Sequence, residues 1–171
     1  MNELLDRMLR AAKLDPNLYE EVEADKGLMN QAILVVVLSS IAAGLGNLGQ
    51  GGATGVLIMT ILALVSWLIW AYLTYIIGTK LLPTENTEAD YGQLLRTIGF
   101  SSAPGVIRIL GIIPGLSGLV FTAANIWMLV AMVIAVRQAL DYESTPRAVG
   151  VCLIGWVVQA VLLGLAMAAM A

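Results

Sequence analysis

The sequence predicts an all-α, polytopic membrane protein with five transmembrane helices and a short helical N-terminal arm. Its composition indicates this class, because 59% of the 171 residues are hydrophobic and only 12% are charged. A soluble domain carries about 25% charged residues. The order of the residues indicates it as well, since the apolar residues fall into five runs separated by short polar or glycine-rich connections.

The arm, residues 1–29, is the one sizeable polar segment and is predicted to hold two helices. Apolar residues recur at helical spacing over residues 4–9. Asp15 followed by Pro16 is typical of an N-cap and a first helical position, and Gly27 is predicted to end the second helix. We expect this amphipathic, acidic arm to lie on the membrane surface or to pack under the helix bundle.

The transmembrane domain is predicted over residues 30–171. Its five spans are expected near residues 31–48, 56–82, 93–113, 116–139 and 148–170, and a span needs roughly 17 to 25 residues. The third span is the least regular, because Pro104 removes a backbone donor and clashes with the preceding turn. We predict a kink or break between Ser101 and Gly105, with a re-entrant loop as the alternative.

The distribution of basic residues predicts the orientation. Cytoplasmic loops of membrane proteins carry an excess of Lys and Arg. With the N-terminus inside, the inner segments hold eight of the nine basic residues, and Arg108 alone falls outside them. We therefore expect a multi-pass protein of the cell (inner) membrane, with a cytoplasmic N-terminus and an external C-terminus.

The residue inventory argues against catalysis. The chain has no histidine and a single cysteine, Cys152, so the usual histidine-based triads and histidine or multi-cysteine metal sites cannot form. All carboxylates fall in the arm or in the inner segments, and none lies inside an apolar run. The net charge of −3 excludes a basic nucleic-acid surface. We predict no enzyme activity, no cofactor, no metal and no nucleic-acid partner.

Arg108 is the one charge within an apolar run, and such a residue is a functional hypothesis by default. Since the turn at Pro114 follows closely, its long side chain is expected to snorkel toward the outer headgroups. Asn125, a lone amide in the fourth span, is expected to hydrogen-bond between helices. The candidate functional or structural residues are Arg108, Pro104, Gly105, Pro114, Asn125, Tyr91, Leu18 and Tyr19.

Four stretches of the chain resemble a known family. They are DPNLYEEVE from Asp15, YGQLLRTIGFSSAPG from Tyr91, VRQALDY from Val136 and RAVGVCLIGW from Arg147. Their order and spacing are similar to those of the Yip1-domain membrane proteins, in the bacterial branch, over roughly residues 15 to 165.

The resemblance implies five spans and a cytoplasmic N-terminus. Eukaryotic members are linked to vesicle trafficking and Rab-type GTPases, and carry an Asp-Leu-Tyr-Gly-Pro motif in the arm. Here the nearest string is Asn17-Leu18-Tyr19-Glu20-Glu21, which lacks the Gly-Pro pair. That departure argues against a GTPase partner.

Two functions fit this sequence, and the first is favoured, because transporters usually keep several ionisable groups near the bilayer midplane and this chain has almost none. The first is a non-enzymatic scaffold or adaptor that binds partner proteins or organises lipid at the cytoplasmic face. The second is a small transporter or channel that uses the broken third span and Arg108. Membrane lipid is an expected partner in either case, together with a protein partner or a homo-oligomer within the membrane.

Overall fold

The computed structural model describes residues 2–47 and 52–169, with side chains over 3–47 and 52–161. Helices account for most of this part of the chain, and no strand occurs within it. The α-helices are α1 (Asn2–Ala12), α2 (Pro16–Ala24), α3 (Met29–Gly46), α4 (Gly52–Ile76), α5 (Tyr91–Ser101), α6 (Ser117–Ala139) and α7 (Thr145–Ala169).

Three helical segments are long and apolar enough to cross a membrane. They are Lys26–Gly46, Gly52–Leu81 and Ser117–Ala139, and a shorter apolar segment covers Thr145–Val161. The chain is therefore membrane-embedded. Helix α5, with 11 residues, reaches only about 17 Å at 1.5 Å per residue. The five-span arrangement remains a prediction for the third and fifth spans, and residues 48 and 170, at two predicted span ends, lie outside the described part.

The predicted break between Ser101 and Gly105 is confirmed. Helix α5 ends at Ser101, and a 3-10 helix, Ala103–Ile112, continues the chain. Proline cannot donate a backbone hydrogen bond, so Pro104 is tolerated at the start of the new helix and not inside α5. The 3-10 segment packs mainly against α3 and α6. This change of helix type sets the position of Arg108.

Helix α2 begins as predicted and ends earlier than predicted. The Asp15 side chain accepts a hydrogen bond from the Asn17 backbone N–H at 3.0 Å, with Pro16 at the first helical position. The prediction that Gly27 ends the helix is wrong, because α2 ends at Ala24. The Asp25 carboxylate accepts the Gly27 N–H at 2.7 Å and caps a short 3-10 turn instead.

Ion pairs hold α1 against α2. The Glu21 carboxylate accepts from Arg7 Nε at 2.7 Å and from Arg10 Nη1 at 2.6 Å, and Arg10 Nε also donates to Asp15 at 2.9 Å. The hydrogen bond from Arg7 is the main reason why the pKa of Glu21 is lowered. Charge-assisted hydrogen bonds of this kind are short and directional. They fold the arm into one unit rather than two loose helices.

The arm docks on the bundle mainly through α2, which packs against α5 and α6, while α1 contacts the 3-10 segment and α5. Arg96 of α5 is only 3% exposed and donates from Nε to the Val22 carbonyl at 2.8 Å and from Nη2 to the Glu23 carbonyl. These carbonyls lie at the C-terminal end of α2, where helical acceptors lack intrahelical donors. Burial, followed by the nearby carboxylate Asp141, raises the pKa of Glu23 to about 7.

Candidate functional site

Arg108 lies in the 3-10 segment, and its side chain turns into the bundle. Its Nε donates to the Gly105 carbonyl at 3.0 Å, and its Nη2 donates to the Ser39 carbonyl at 3.1 Å and to Ser39 Oγ at 2.8 Å. Seven residues separate Ser39 from Gly46, the last residue of α3, which corresponds to roughly 10 Å along the helix. The guanidinium therefore lies about two helical turns inside the end of α3.

The expectation that Arg108 snorkels toward the Pro114 turn is wrong. Pro114 is exposed at that turn, whereas the guanidinium hydrogen-bonds to Ser39 inside the bundle. The physical reason is the break in the third span. A 3-10 segment brings the Gly105 carbonyl within reach of Arg108, and the Ser39 oxygens supply further acceptors in the interior.

Gly105 makes room for this guanidinium. A Cβ at this position would overlap Ser39 Oγ and would lie 2.7 Å from Arg108 Nη2 and 2.7 Å from Met128 Sδ. Real Cβ atoms essentially never approach other atoms so closely, so a side chain here would displace Arg108 from Ser39. Pro104 is fully buried next to it. The predicted candidates Pro104 and Gly105 thus act together by shaping the place that Arg108 occupies.

The groups that accept hydrogen bonds from the Arg108 guanidinium are all neutral. A guanidinium has five N–H donors, and the three hydrogen bonds above use Nε and Nη2. Among the described residues, Nη1 has no hydrogen-bond partner. The ion pairs found in the described part of the chain lie in the arm and involve Arg7 and Arg10. Two donors on a cation are therefore available to a ligand.

Arg108 borders a central cavity of about 510 Å³ between α3, α4, α5, α6 and α7. Apolar and aromatic side chains form most of its wall, and serines and two amides supply its polar atoms. Its lining includes Val36, Ser66, Trp70, Asn125, Met128 and Trp156. Of the residues that line it, Arg108 is the only charged one within the described part of the chain. The cavity is therefore an apolar space with one cation at its edge.

Two tryptophans that line the cavity differ in their hydrogen bonding. The Trp67 indole N–H donates to the Leu95 carbonyl at 3.1 Å. Trp70 is 7% exposed, and its indole N–H has no partner among the described residues. A buried indole N–H usually finds an acceptor. The Trp70 indole N–H is thus buried without a partner in the described part of the chain, and it is closed off from the cavity that its side chain borders.

A second cavity, of about 400 Å³, meets the first at Arg108. It reaches toward the Gly46 end of α3, where Asn47 and Gly55 line it. Ser40, Ala63 and Arg108 line both cavities. Arg108 therefore stands between a space at the end of the bundle and a space in its middle.

Of the remaining predicted candidates, one lines the cavity and the others stabilise the packing of the helices. Asn125 lines the central cavity, and its expected hydrogen bond between helices stays a prediction. Tyr91 anchors the start of α5, because its hydroxyl donates to the Leu68 carbonyl at 2.9 Å. Leu18 and Tyr19 are fully buried. Their burial under α5 and α6 fits the docking of the arm and leaves no side-chain surface for a partner.

Three residues with a role in the structure were not identified as candidates from the sequence: Ser39, Trp70 and Arg96. Ser39 and Trp70 resembled ordinary small and aromatic residues of apolar spans, and no local signal marked them. Arg96 was counted only as an inner positive charge, although it lies between Leu95 and Thr97 on a helix that is buried on almost every side. A charge inside such a segment is a usable signal for a buried partner.

In the described part, no group of three or more His, Cys, Asp or Glu could hold a metal ion.

The helices, their apolar surfaces and the internal cavity define an all-helical integral membrane protein. Residues 17–167 match the Yip1 domain. Because this match covers most of the chain, the protein belongs to the Yip1 domain family, a membrane family not known as enzymatic. No curated protein and no solved structure matches the chain.

Proposed function

We propose that this Yip1-domain protein is a small membrane transporter, in which the cavity beside Arg108 holds the ligand. The observation that carries the proposal is the position of Arg108, whose hydrogen bonds to Ser39 and Gly105 place it between two cavities. Transporters commonly bind substrate where a helix is interrupted inside the membrane. The break after Ser101 supplies such an interruption.

The proposal includes a topology and a non-enzymatic role. The count of basic residues supports a cytoplasmic N-terminus in the inner membrane, and five spans would place the C-terminus outside. The absence of Gly-Pro after Leu18 and Tyr19 supports a bacterial-type member without a GTPase partner. The residue inventory, which holds no histidine, supports transfer of a ligand rather than its chemical conversion.

A scaffold is the second candidate, and helix α1 favours it. Leu5 and Leu9 are separated by about one helical turn and are 53% and 60% exposed. They form an apolar strip beside the charged residues that bind α2. Such a strip can rest on a membrane or against another protein. A scaffold needs no hydrated cavity within its helices, so access of water to the cavity separates the two candidates.

Cysteine labelling tests the transporter proposal. Cys152 is the only cysteine, so Cys152→Ala gives a background without thiols. Ser66→Cys places a thiol at the central cavity, and Ile69→Cys, on the same helix, places one on the outer surface. With a charged, membrane-impermeant methanethiosulfonate, we expect Ser66→Cys to react at least about tenfold faster, because a thiol in lipid does not ionise.

Adding the reagent to one side of the membrane at a time makes the labelling test more specific. In right-side-out and inverted vesicles, a transporter should expose the Ser66→Cys thiol to reagent from either side, since its cavity opens alternately. Equal and slow labelling of both positions from both sides would contradict the proposal and favour the scaffold. The variant Cys152→Ala without an added cysteine gives the background rate.

A further inference from the structure

We propose that the central cavity binds a phosphate-type oxyanion, and that a lipid headgroup is the source its geometry favours. This inference rests on the proposed function of the same cavity. It names the class of ligand, which the break and the cavity alone do not. The geometry points to this class through the two unused N–H groups of Arg108 Nη1, the apolar walls and a lateral opening.

The donors at the cavity select an anion with several acceptor oxygens. Arg108 Nη1 carries two N–H groups without a partner in the described part of the chain. Arginine matches phosphate and carboxylate geometry better than a point charge does. Since no carboxylate lines the cavity among the described residues, a cationic ligand would meet Arg108 without compensation.

The apolar walls indicate that the rest of the ligand is apolar. Val36, Ile98 and Met132 line the cavity on α3, α5 and α6, and Met128 adds a flexible side chain near Arg108. A volume of about 510 Å³ is in the range of small-ligand sites. It can hold a headgroup and the adjoining part of a chain, with the longer apolar tails remaining in the bilayer.

The cavity also opens to the side. Ser66, Asn125 and Trp156 line it, and each is exposed on the surface of its own helix. These three residues belong to α4, α6 and α7, which present large apolar side chains on their outer surfaces. An amphiphile can therefore insert its headgroup from the bilayer, whereas a free ion would have to enter from water.

Lipid binding measured by native mass spectrometry tests the inference. The full chain in mild detergent is titrated with phosphatidylglycerol or with phosphatidylcholine of the same acyl chains. We expect the anionic lipid to bind more tightly. Arg108→Gln should weaken that binding by about tenfold or more, the size expected for a hydrogen bond to a charged group. Arg108→Lys should restore part of it.

Two control variants lie outside the cavity. Arg137→Gln removes a positive charge whose guanidinium binds the Tyr142 carbonyl at 3.1 Å, and Trp127→Phe removes an indole that donates to the Ala12 carbonyl at 2.7 Å. Both should retain the preference for phosphatidylglycerol. Arg108→Lys keeps the test valid if Arg108→Gln fails to fold.

A competition experiment distinguishes a lipid headgroup from a free oxyanion in solution. If excess inorganic phosphate leaves phosphatidylglycerol bound, the ligand is a lipid headgroup. If phosphate displaces it and binds by itself in an Arg108-dependent way, the oxyanion is free in solution. Equal binding of both lipids, or full binding to Arg108→Gln, would overturn the inference. If the lipid result is negative but Ser66→Cys is labelled fast, the transporter proposal still holds. If Ser66→Cys is also labelled slowly, both the transporter proposal and the lipid-binding inference are wrong.

Discussion

Gly46→Ala is expected to cause the largest loss of stability of any single methyl group added to the bundle. A Cβ on Gly46 would overlap the Arg108 carbonyl oxygen and lie 2.9 Å from its carbon and 3.3 Å from Phe121 Cε2. The overlapping atoms belong mainly to the Arg108 backbone, so a change of side-chain rotamer cannot remove the steric clash. The two segments in contact are α3 and the 3-10 segment, so the alanine would push apart the elements that place Arg108.

The effect of Gly46→Ala is measured as the midpoint of thermal unfolding in detergent. Overpacking costs about 1 to 3 kcal/mol and occasionally more, and each kcal/mol shifts the midpoint of a chain this size by about 2 to 4 °C. We expect a fall of roughly 10 °C. Gly118→Ala is the control, since a Cβ there meets nothing within 4 Å. Equal midpoints for the two variants would show that the close approach of Gly46 is absent.

Arg96→Met is expected to release the arm from the bundle. The substitution keeps an unbranched apolar stem but removes the donors to the Val22 and Glu23 carbonyls. Hydrogen bonds to charged groups contribute about 1.5 to 3 kcal/mol each. Because α2 makes its main contacts with α5 and α6, loss of these bonds weakens the docking of Leu18 and Tyr19 as well.

Amide hydrogen exchange measures this release locally. For residues 16–24 we expect exchange to rise by about a hundredfold or more in Arg96→Met, since two such bonds are lost, while the amides of α6 serve as the internal reference. Arg147→Met is the control, because the exposed Arg147 interacts away from α2: it donates to the Pro83 carbonyl at 3.3 Å and lies over the Tyr142 ring at 5.8 Å. Unchanged exchange over residues 16–24 would mean that Arg96 does not hold the arm.

Local chemistry explains which parts of the fold were predictable. Pro104 cannot sit inside an α-helix, and Asp15 before Pro16 is a strong start signal, so the break and the beginning of α2 follow from short stretches of sequence. The end of α2 was missed because the Asp25 side chain competes for the Gly27 N–H. Such competition between a side chain and the backbone is hard to weigh without the neighbouring structure.

The candidate site was only partly predictable, since it depends on contacts between distant segments. Arg108 and Gly105 stood out by residue type, but Ser39 lies 69 residues away from Arg108 in sequence. The snorkelling prediction used the distance to Pro114 along the chain, and it failed because helix packing offered closer acceptors inside the bundle. Trp70 could not be distinguished from Trp67 by sequence, because only the packing decides which indole N–H finds a carbonyl.

The most direct test of the central claim is a double-mutant cycle between Ser39 and Arg108. If the guanidinium lies at Ser39, the carboxylate introduced by Ser39→Asp is paired at once, and the unfolding midpoint stays close to that of the original chain. In an Arg108→Gln background the same carboxylate is buried without a partner. Removing one member of a buried ion pair costs about 3 to 5 kcal/mol, or roughly 10 °C in the midpoint.

We expect this difference between the two backgrounds, together with loss of anionic lipid binding in Ser39→Asp, because the introduced carboxylate occupies the guanidinium. An equal loss of stability from Ser39→Asp with and without Arg108 would contradict it. That result would place the guanidinium away from Ser39, toward the exposed turn at Pro114, and would remove the cation from the cavity.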